Sequence, residues 1–211
     1  MDKLPTPLWN LNEFTDEVYE PREDTFLLMD ALETDLNLIK KSNAMVALEI
    51  GSGSGVVITS LSLAVPNLYC LALDINPKAC VATKNTAALN KTQVDVIRSD
   101  LVKSLRLNKS VDLLIFNPPY VPSDGSDENS ILDKAWAGLE RGRSTIDWLL
   151  PILEELMSNT CLGYFVAIDE NNPEEILSIL RSKGFNSETV ARRKIIGEKL
   201  SILRFSRGLD L

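Results

Sequence analysis

The chain has 211 residues, 45% of them hydrophobic and 25% charged, with 30 acids against 22 bases and a formal net charge of −8. These proportions belong to a folded globular protein and exclude a disordered or collagenous chain. The acidic balance works against stable nucleic-acid binding, whose usual footprint is a basic stripe. The chain contains no histidine, which excludes Ser-His and Cys-His nucleophilic machinery, imidazole bases and His-ligated metals.

Cys70, Cys80 and Cys161 are odd in number and show no CxxC spacing. Neither a disulfide framework nor a metal site is expected, and a reducing compartment, cytoplasm or nucleus, fits. No apolar run approaches the roughly 20 residues that span a bilayer. Met1 to Phe14 lacks a signal-peptide core, so neither membrane insertion nor secretion is expected. The length fits a single α/β domain over residues 1–211, with an irregular N-terminal arm over residues 1–18.

After the arm, Asp24 or Thr25 is placed to cap a helix through about Ile39, with Phe26, Leu27, Met29, Leu32, Leu36 and Ile39 at helical spacing. Met45 to Ile50 reads as a strand, followed at once by Gly-Ser-Gly-Ser-Gly and an apolar helix to about Ala64. Leu68 to Leu73 is the second strand, ending in Asp74. Asn76 and Pro77 supply a cap and a first-turn proline for a helix to about Asn90. Val94 to Arg98 and Val111 to Phe116 are the third and fourth strands. The polar stretch Val121 to Arg143 reads as one long loop, functional or mobile. Ser144 is placed to cap a helix through about Met157, and Gly163 to Ile168 is the fifth strand. Asn172 and Pro173 repeat the cap pair for a helix to about Lys183. Thr189 to Arg193 and Leu200 to Phe205 close the chain as an antiparallel pair about Gly197. Such alternation builds a parallel α/β sheet with helices on both faces, to which the final pair adds an antiparallel edge.

In a sheet of this kind ligands collect at the carboxyl ends of the strands, where the turn Gly51, Gly53, Gly55 falls. Glu49 and Asp74 face the same crevice. Asp74 can accept from both hydroxyls of a ribose, and Glu49 suits a cationic amino-acid end. The spacing Gly-x-Gly-x-Gly is neither the pyrophosphate fingerprint Gly-x-Gly-x-x-Gly nor a phosphate loop. A phosphate-free ligand such as S-adenosyl-L-methionine therefore fits better than NAD or ATP. Asp100 can bind an adenine amino group together with the Leu101 backbone, although its spacing fits a helix-capping acid equally well.

Asn117-Pro118-Pro119-Tyr120 follows the fourth strand. Two prolines hold the backbone, so the Asn117 side-chain oxygen and the Asn117 or Pro118 carbonyl can converge on one planar NH₂ group, of a carboxamide or of adenine. An amide nitrogen has a delocalised lone pair, and methylating it requires alignment and stabilisation of the positive charge that develops there. Two acceptors supply both without histidine, and Tyr120 can stack on the planar group. An Asx-Pro turn of purely structural meaning is the other reading of these residues.

Together, Val18-Tyr19-Glu20-Pro21-Arg22-Glu23-Asp24-Thr25-Phe26, Leu48-Glu49-Ile50-Gly51-Ser52-Gly53-Ser54-Gly55, Asp74-Ile75-Asn76-Pro77, Ser99-Asp100-Leu101 and Phe116-Asn117-Pro118-Pro119-Tyr120-Val121 resemble the HemK/PrmC-like N5-glutamine methyltransferases. The chain is similar to their short eukaryotic and archaeal release-factor branch over nearly its whole length. The resemblance implies a class I, Rossmann-like methyltransferase fold with seven mostly parallel strands and an antiparallel terminal strand. It implies cofactor contacts from Thr25, Glu49, Gly51, Asp74, Asp100 and Leu101, completed by Gly53 and Asn117. It also implies glutamine binding by Asn117, Pro118, Pro119 and Tyr120, with Asn117, Pro118 and Tyr120 catalytic. The implied substrate is the Gly-Gly-Gln glutamine of a class I release factor. The implied partner is a small zinc-binding activator paired along the third strand, Val94 to Arg98. One departure stands out: after Trp136-Ala137-Gly138 the branch usually carries a second glycine, where this chain has Leu139-Glu140-Arg141-Gly142-Arg143.

Other readings stay open on sequence alone. An adenine N6-methyltransferase acting on DNA or RNA shares the Asn-Pro-Pro-Tyr turn but needs a basic track, and Arg192-Arg193-Lys194 is a single short cluster. Histone lysine methylation has also been connected with short members of the family. A non-catalytic binding module would keep the fold without needing Asn117 and the crevice acids.

Overall fold

The computed structural model describes residues 3–106, 108–119 and 142–209. Its strands are β1 (Val46–Ile50), β2 (Tyr69–Asp74), β3 (Asp95–Arg98), β4 (Val111–Phe116), β5 (Met157–Ile168), β6 (Asn186–Ile195) and β7 (Glu198–Arg207). They form one sheet in the order β3-β2-β1-β4-β5-β7-β6. β1 pairs in parallel with both β2 and β4, so the chain reverses its lateral direction at β1. That reversal opens a crevice at the carboxyl ends of β1 and β4.

The final strand pair forms the expected antiparallel edge of the sheet, with β7 as its inner strand. β7 lies between β5 and β6, antiparallel to both, and leaves β6 outermost. Burial explains the placement: Leu200, Ile202, Leu203 and Phe205 of β7 are all at most 1% exposed, whereas β6 alternates between exposed and half-buried residues. A strand apolar on both faces belongs inside a sheet.

Side chains along each strand alternate between two cores, as the pleat requires. Ala47, Leu113, Ile115, Tyr164, Val166 and Ile202 pack with helices α1 (Glu23–Thr34), α2 (Leu36–Lys41) and α3 (Val56–Ala64). Leu48, Ile50, Leu114, Phe116, Phe165 and Phe205 face α5 (Ser144–Leu149), α6 (Leu153–Leu156) and α7 (Pro173–Ser182). α4 (Pro77–Leu89) covers β2 and β3, and its Ala79 and Ala82 meet Phe14 and Val18 of the N-terminal arm. The arm is pinned to the body: the Leu8 N–H donates to Asn90 Oδ1 at 2.9 Å, and Asn90 Nδ2 donates back to the Leu8 carbonyl at 2.7 Å.

Several local expectations are corrected. The first helix breaks at Asp35, whose carboxylate accepts from Tyr164 at 2.9 Å and from Arg204 at 2.7 Å. Its N-cap is Arg22; Asp24 and Thr25 lie inside the first turn and do not cap it. Ser144 is the first residue of α5 and not its cap, and Pro151 breaks the run into α5, a 3₁₀ turn and α6. β5 starts at Met157, six residues before the expected Gly163, because Met157 pairs with Val111 across a bulge. Asn76 caps α4 as expected, accepting from the Lys78 N–H at 2.9 Å. Asn172 does not repeat that role: its Nδ2 donates to Glu175 at 3.0 Å.

Candidate active site

The glycine turn leaves β1 with Gly51, Gly53 and Gly55 all at positive φ, 68°, 52° and 76°. At Gly55 an added Cβ would lie 2.6 Å from Thr83 Cα, so glycine is required both by conformation and by the close approach of α4. Thr83 in turn holds the turn through Ser52 at 2.8 Å and the Gly53 carbonyl at 3.2 Å.

Asp74, at the tip of β2, accepts the Gly53 N–H on Oδ2 and the Asn76 N–H on Oδ1, each at 2.9 Å. A carboxylate offers about four lone-pair sites. Acceptor capacity beyond these bonds is what a ribose hydroxyl would use. Burial pushes the Asp74 carboxyl up, against the pull of those backbone N–H groups. Glu49 is 3% exposed and accepts the Ile58 N–H at 3.1 Å. It thereby satisfies a donor of the first turn of α3, whose N-cap is Gly55 and carries no capping side chain. Burial drives its pKa up to about 8, the Ile58 bond opposes this and the Asp74 charge adds to it. A cationic ligand group would relieve that cost.

Asp100 does not cap a helix; it stands in a turn after β3 with its carboxylate paired to Lys103 at 2.5 Å. The next residue, Leu101, holds φ at 49° although it is neither glycine nor asparagine. A leucine there costs roughly 1–2 kcal/mol, and this outlier lies on the crevice wall.

Asn117 follows β4 directly. Its Nδ2 donates to Asp24 Oδ2 at 2.8 Å, while Oδ1, on the other arm of the amide, is enclosed and has no hydrogen-bond partner. The assignment of nitrogen and oxygen is forced, because a carboxylate only accepts. Asp24 is 3% exposed and also takes the Tyr19 hydroxyl at 3.0 Å. Burial and the Asp24 charge raise the Tyr19 phenol to about 12, which keeps it a neutral donor. Pro118 is buried and Pro119 exposed; Tyr120 lies outside the described residues, as do 121–141 of the expected loop. Arg143, at the near end of that stretch, is 6% exposed and bonds Asp147, Glu175 and the Asn171 carbonyl.

Most of the groups expected to bind the ligand line one cavity of about 690 Å³, within the usual range for a small-molecule site. Thr25, Glu49, Gly51, Gly53 and Asp74 line it, as do Asp100, Leu101, Asn117, Pro118 and Pro119. Asp24 and Tyr19, quoted in the family motif without a site role, line it too, as does Thr145, whose hydroxyl is buried without a partner. Among the described lining residues Glu23, Asp24, Glu49, Asp74, Asp100 and Glu198 are acidic and only Arg22 is basic. Such a wall repels phosphate and attracts a ligand that carries positive charge. The Asp74 carboxylate, the desolvated Glu49 and the open glycine turn fit S-adenosyl-L-methionine, whose charges are a sulfonium, an ammonium and one carboxylate.

Comparison with known proteins agrees. The family model described as Methyltransferase small domain matches residues 23–142. The human protein Methyltransferase HEMK2 is 44% identical over 91% of each chain. The eRF1 methyltransferase catalytic subunit mtq2 of Schizosaccharomyces pombe is 36% identical over 97% of this chain and 96% of that one. Among solved structures, the E. cuniculi Mtq2-Trm112 complex, described as methylating the translation termination factor eRF1, matches with a TM-score of 0.66 at 30% identity, covering 90% of this chain and 99% of that chain. The chain is a methyltransferase that uses S-adenosyl-L-methionine, and it belongs to the HemK/PrmC-like family of N5-glutamine methyltransferases.

Proposed function

We propose that the protein methylates the side-chain nitrogen of the Gly-Gly-Gln glutamine in a class I translation release factor, as the catalytic subunit of a heterodimer with a small zinc-binding activator. The observation that carries the reading is Asn117, whose Oδ1 is an enclosed acceptor without a partner. Beside it Pro118 and Pro119 have no N–H, so this wall offers a planar NH₂ group acceptors and no competing backbone donors. Asn117 Oδ1 and the Pro118 carbonyl hold the two N–H bonds and stabilise the charge that grows on nitrogen. Tyr120 stacks on the amide plane. When bound, the cofactor supplies an electrophilic methyl group. The glutamine nitrogen gains the N–CH₃ bond and sheds one proton; an N-protonated amide is acidic enough to release it to water, so the absence of histidine is no obstacle. In the same reading Asp74 takes the ribose hydroxyls, Glu49 the cationic amino-acid end, and Asp100 with Leu101 the adenine, while Thr25, Gly51 and Gly53 complete the cradle.

An adenine N6 substrate in DNA or RNA is disfavoured by the acidic wall. It is disfavoured also by the fate of the one basic cluster, where Arg193 pairs with Glu23 and Asp30 and Arg192 with Glu174. The activator is expected on β3, which among the described residues pairs only with β2 and so offers a free hydrogen-bonding edge. Around that edge Tyr69, Val81, Leu89 and Ile97 expose apolar surface, from 38% to 51%. The cytoplasm, where a release-factor substrate would be met, is the compartment this reading favours, with the nucleus as the other. No helix among the described residues is long and apolar enough to cross a membrane.

The test is transfer of labelled methyl from S-adenosyl-L-methionine, by the activator-bound enzyme, to a class I release factor and to its Gly-Gly-Ala variant. Label on the first and none on the second is expected. Equal labelling of both would overturn the glutamine assignment.

A further inference from the structure

Asp24 sits at the second position of α1, buried at 3% exposure, 93 residues from Asn117 in sequence. Its contacts form a line across the site: the Tyr19 hydroxyl donates to Oδ1, and Asn117 Nδ2 donates to Oδ2. A carboxylate has no hydrogen to give, so it admits the Asn117 amide in one orientation only, nitrogen inward and oxygen on the opposite arm. A neutral partner able to donate would admit both orientations, and the flipped one would present NH₂ to an NH₂ substrate. Charge matters as well as orientation. An amide whose N–H groups are bound to a carboxylate shifts electron density onto its oxygen, which strengthens that oxygen as an acceptor. The first turn of α1, at the positive end of the helix dipole, is a favourable place for such a carboxylate.

We propose that Asp24 is a positioning residue for methyl transfer: it locks the Asn117 carboxamide with Oδ1 toward the substrate nitrogen and polarises it, and Tyr19 steadies the carboxylate. The inference rests on the reading of Asn117 as the acceptor for that nitrogen, and the experiment separates the two.

The experiment is a double-mutant cycle on the activator-bound enzyme with Asp24→Asn, Asn117→Ala and the pair, reading kcat, KM for the release factor and cofactor affinity. Asp24→Asn is expected to lower kcat about 10- to 100-fold, less than loss of the acceptor itself, with cofactor affinity within about threefold. In the Asn117→Ala background the same substitution is expected to change kcat by less than about twofold, since the group it acts through is gone. Wild-type kcat in Asp24→Asn beside an impaired Asn117→Ala would overturn the role of Asp24 alone. Equal losses in both backgrounds would also overturn it, assigning Asp24 to structure. Full turnover in Asn117→Ala would instead overturn the reading beneath it. Tyr19→Phe, which leaves the carboxylate in place, repeats the cycle if Asp24→Asn does not fold; its loss of kcat, about two- to fivefold, is expected to vanish in the Asn117→Ala background, and persistence there would overturn the proposal.

Discussion

The two ends of the cavity are built by different means. At the cofactor end the acids are held by backbone N–H groups from nearby turns: Asp74 by Gly53 and Asn76, Glu49 by Ile58. At the chemical end Asn117 is held by a side chain from a helix 93 residues earlier. Backbone bonds from turns at the strand ends give a cradle that depends on glycines and acids placed there. A long-range carboxylate gives one atom one orientation, and that is what an electrophilic transfer to a poor nucleophile needs. The cofactor end should therefore govern affinity and the chemical end rate.

That division can be broken at several strengths. Gly55→Ala, combining a positive φ of 76° with a 2.6 Å approach to Thr83, is expected to cost about 3–5 kcal/mol of stability and to abolish cofactor binding. Chemical denaturation checks it, and a stable variant that still binds would contradict the packing account. Asp74→Ala is expected to weaken cofactor binding by about 1.5–3 kcal/mol while turnover at saturation holds; titration calorimetry showing unchanged affinity would remove Asp74 from the ribose.

A gentler probe is pH at Glu49. Its folded pKa of about 8 stands above the ordinary 4.5, so the ligand-free protein holds an extra proton between those values. The stability contributed by that proton is fully present below 4.5 and is lost as pH rises to 8. A cation beside Glu49 favours its ionised form, so cofactor affinity should rise over the same window, by at most about tenfold per pH unit. Both slopes should flatten in Glu49→Gln; a slope retained in Glu49→Gln would assign it to another group. The smallest effect is expected from Lys103→Ala. Its pair with Asp100 is half exposed, with side chains 51% and 37% accessible. Cofactor affinity should change by less than about 1 kcal/mol, and a larger loss would make Lys103 part of the site.

Legibility in the sequence followed the same line. Apolar runs bounded by glycine and proline marked six of the seven strands within a few residues, because each strand's burial is written in its own composition. β5 was shortened because Ser158-Asn159-Thr160 look like a loop, yet they belong to a strand whose start is set by pairing with β4. The interior position of β7 follows from its burial on both faces, which period and turn signals do not report. The Asp35 carboxylate is tied to Tyr164 and Arg204, partners more than 100 residues distant that no local pattern announces. In the cavity, Asp74, Glu49 and Asn117 were readable from turns and strand ends. Asp24 read as a helix cap because its true partners, Tyr19 and Asn117, are joined to it only by the fold.

The most direct measurement is turnover and cofactor affinity of Asn117→Ala in one preparation, with the activator and the release factor present. A fall in kcat of about 10² to 10³, the cost of one transition-state contact, with cofactor affinity within a few fold, is the predicted result. An affinity loss that matches the loss of rate would contradict the account, because Asn117 would then belong to the cofactor end and the planar-nitrogen acceptor would have to be sought elsewhere.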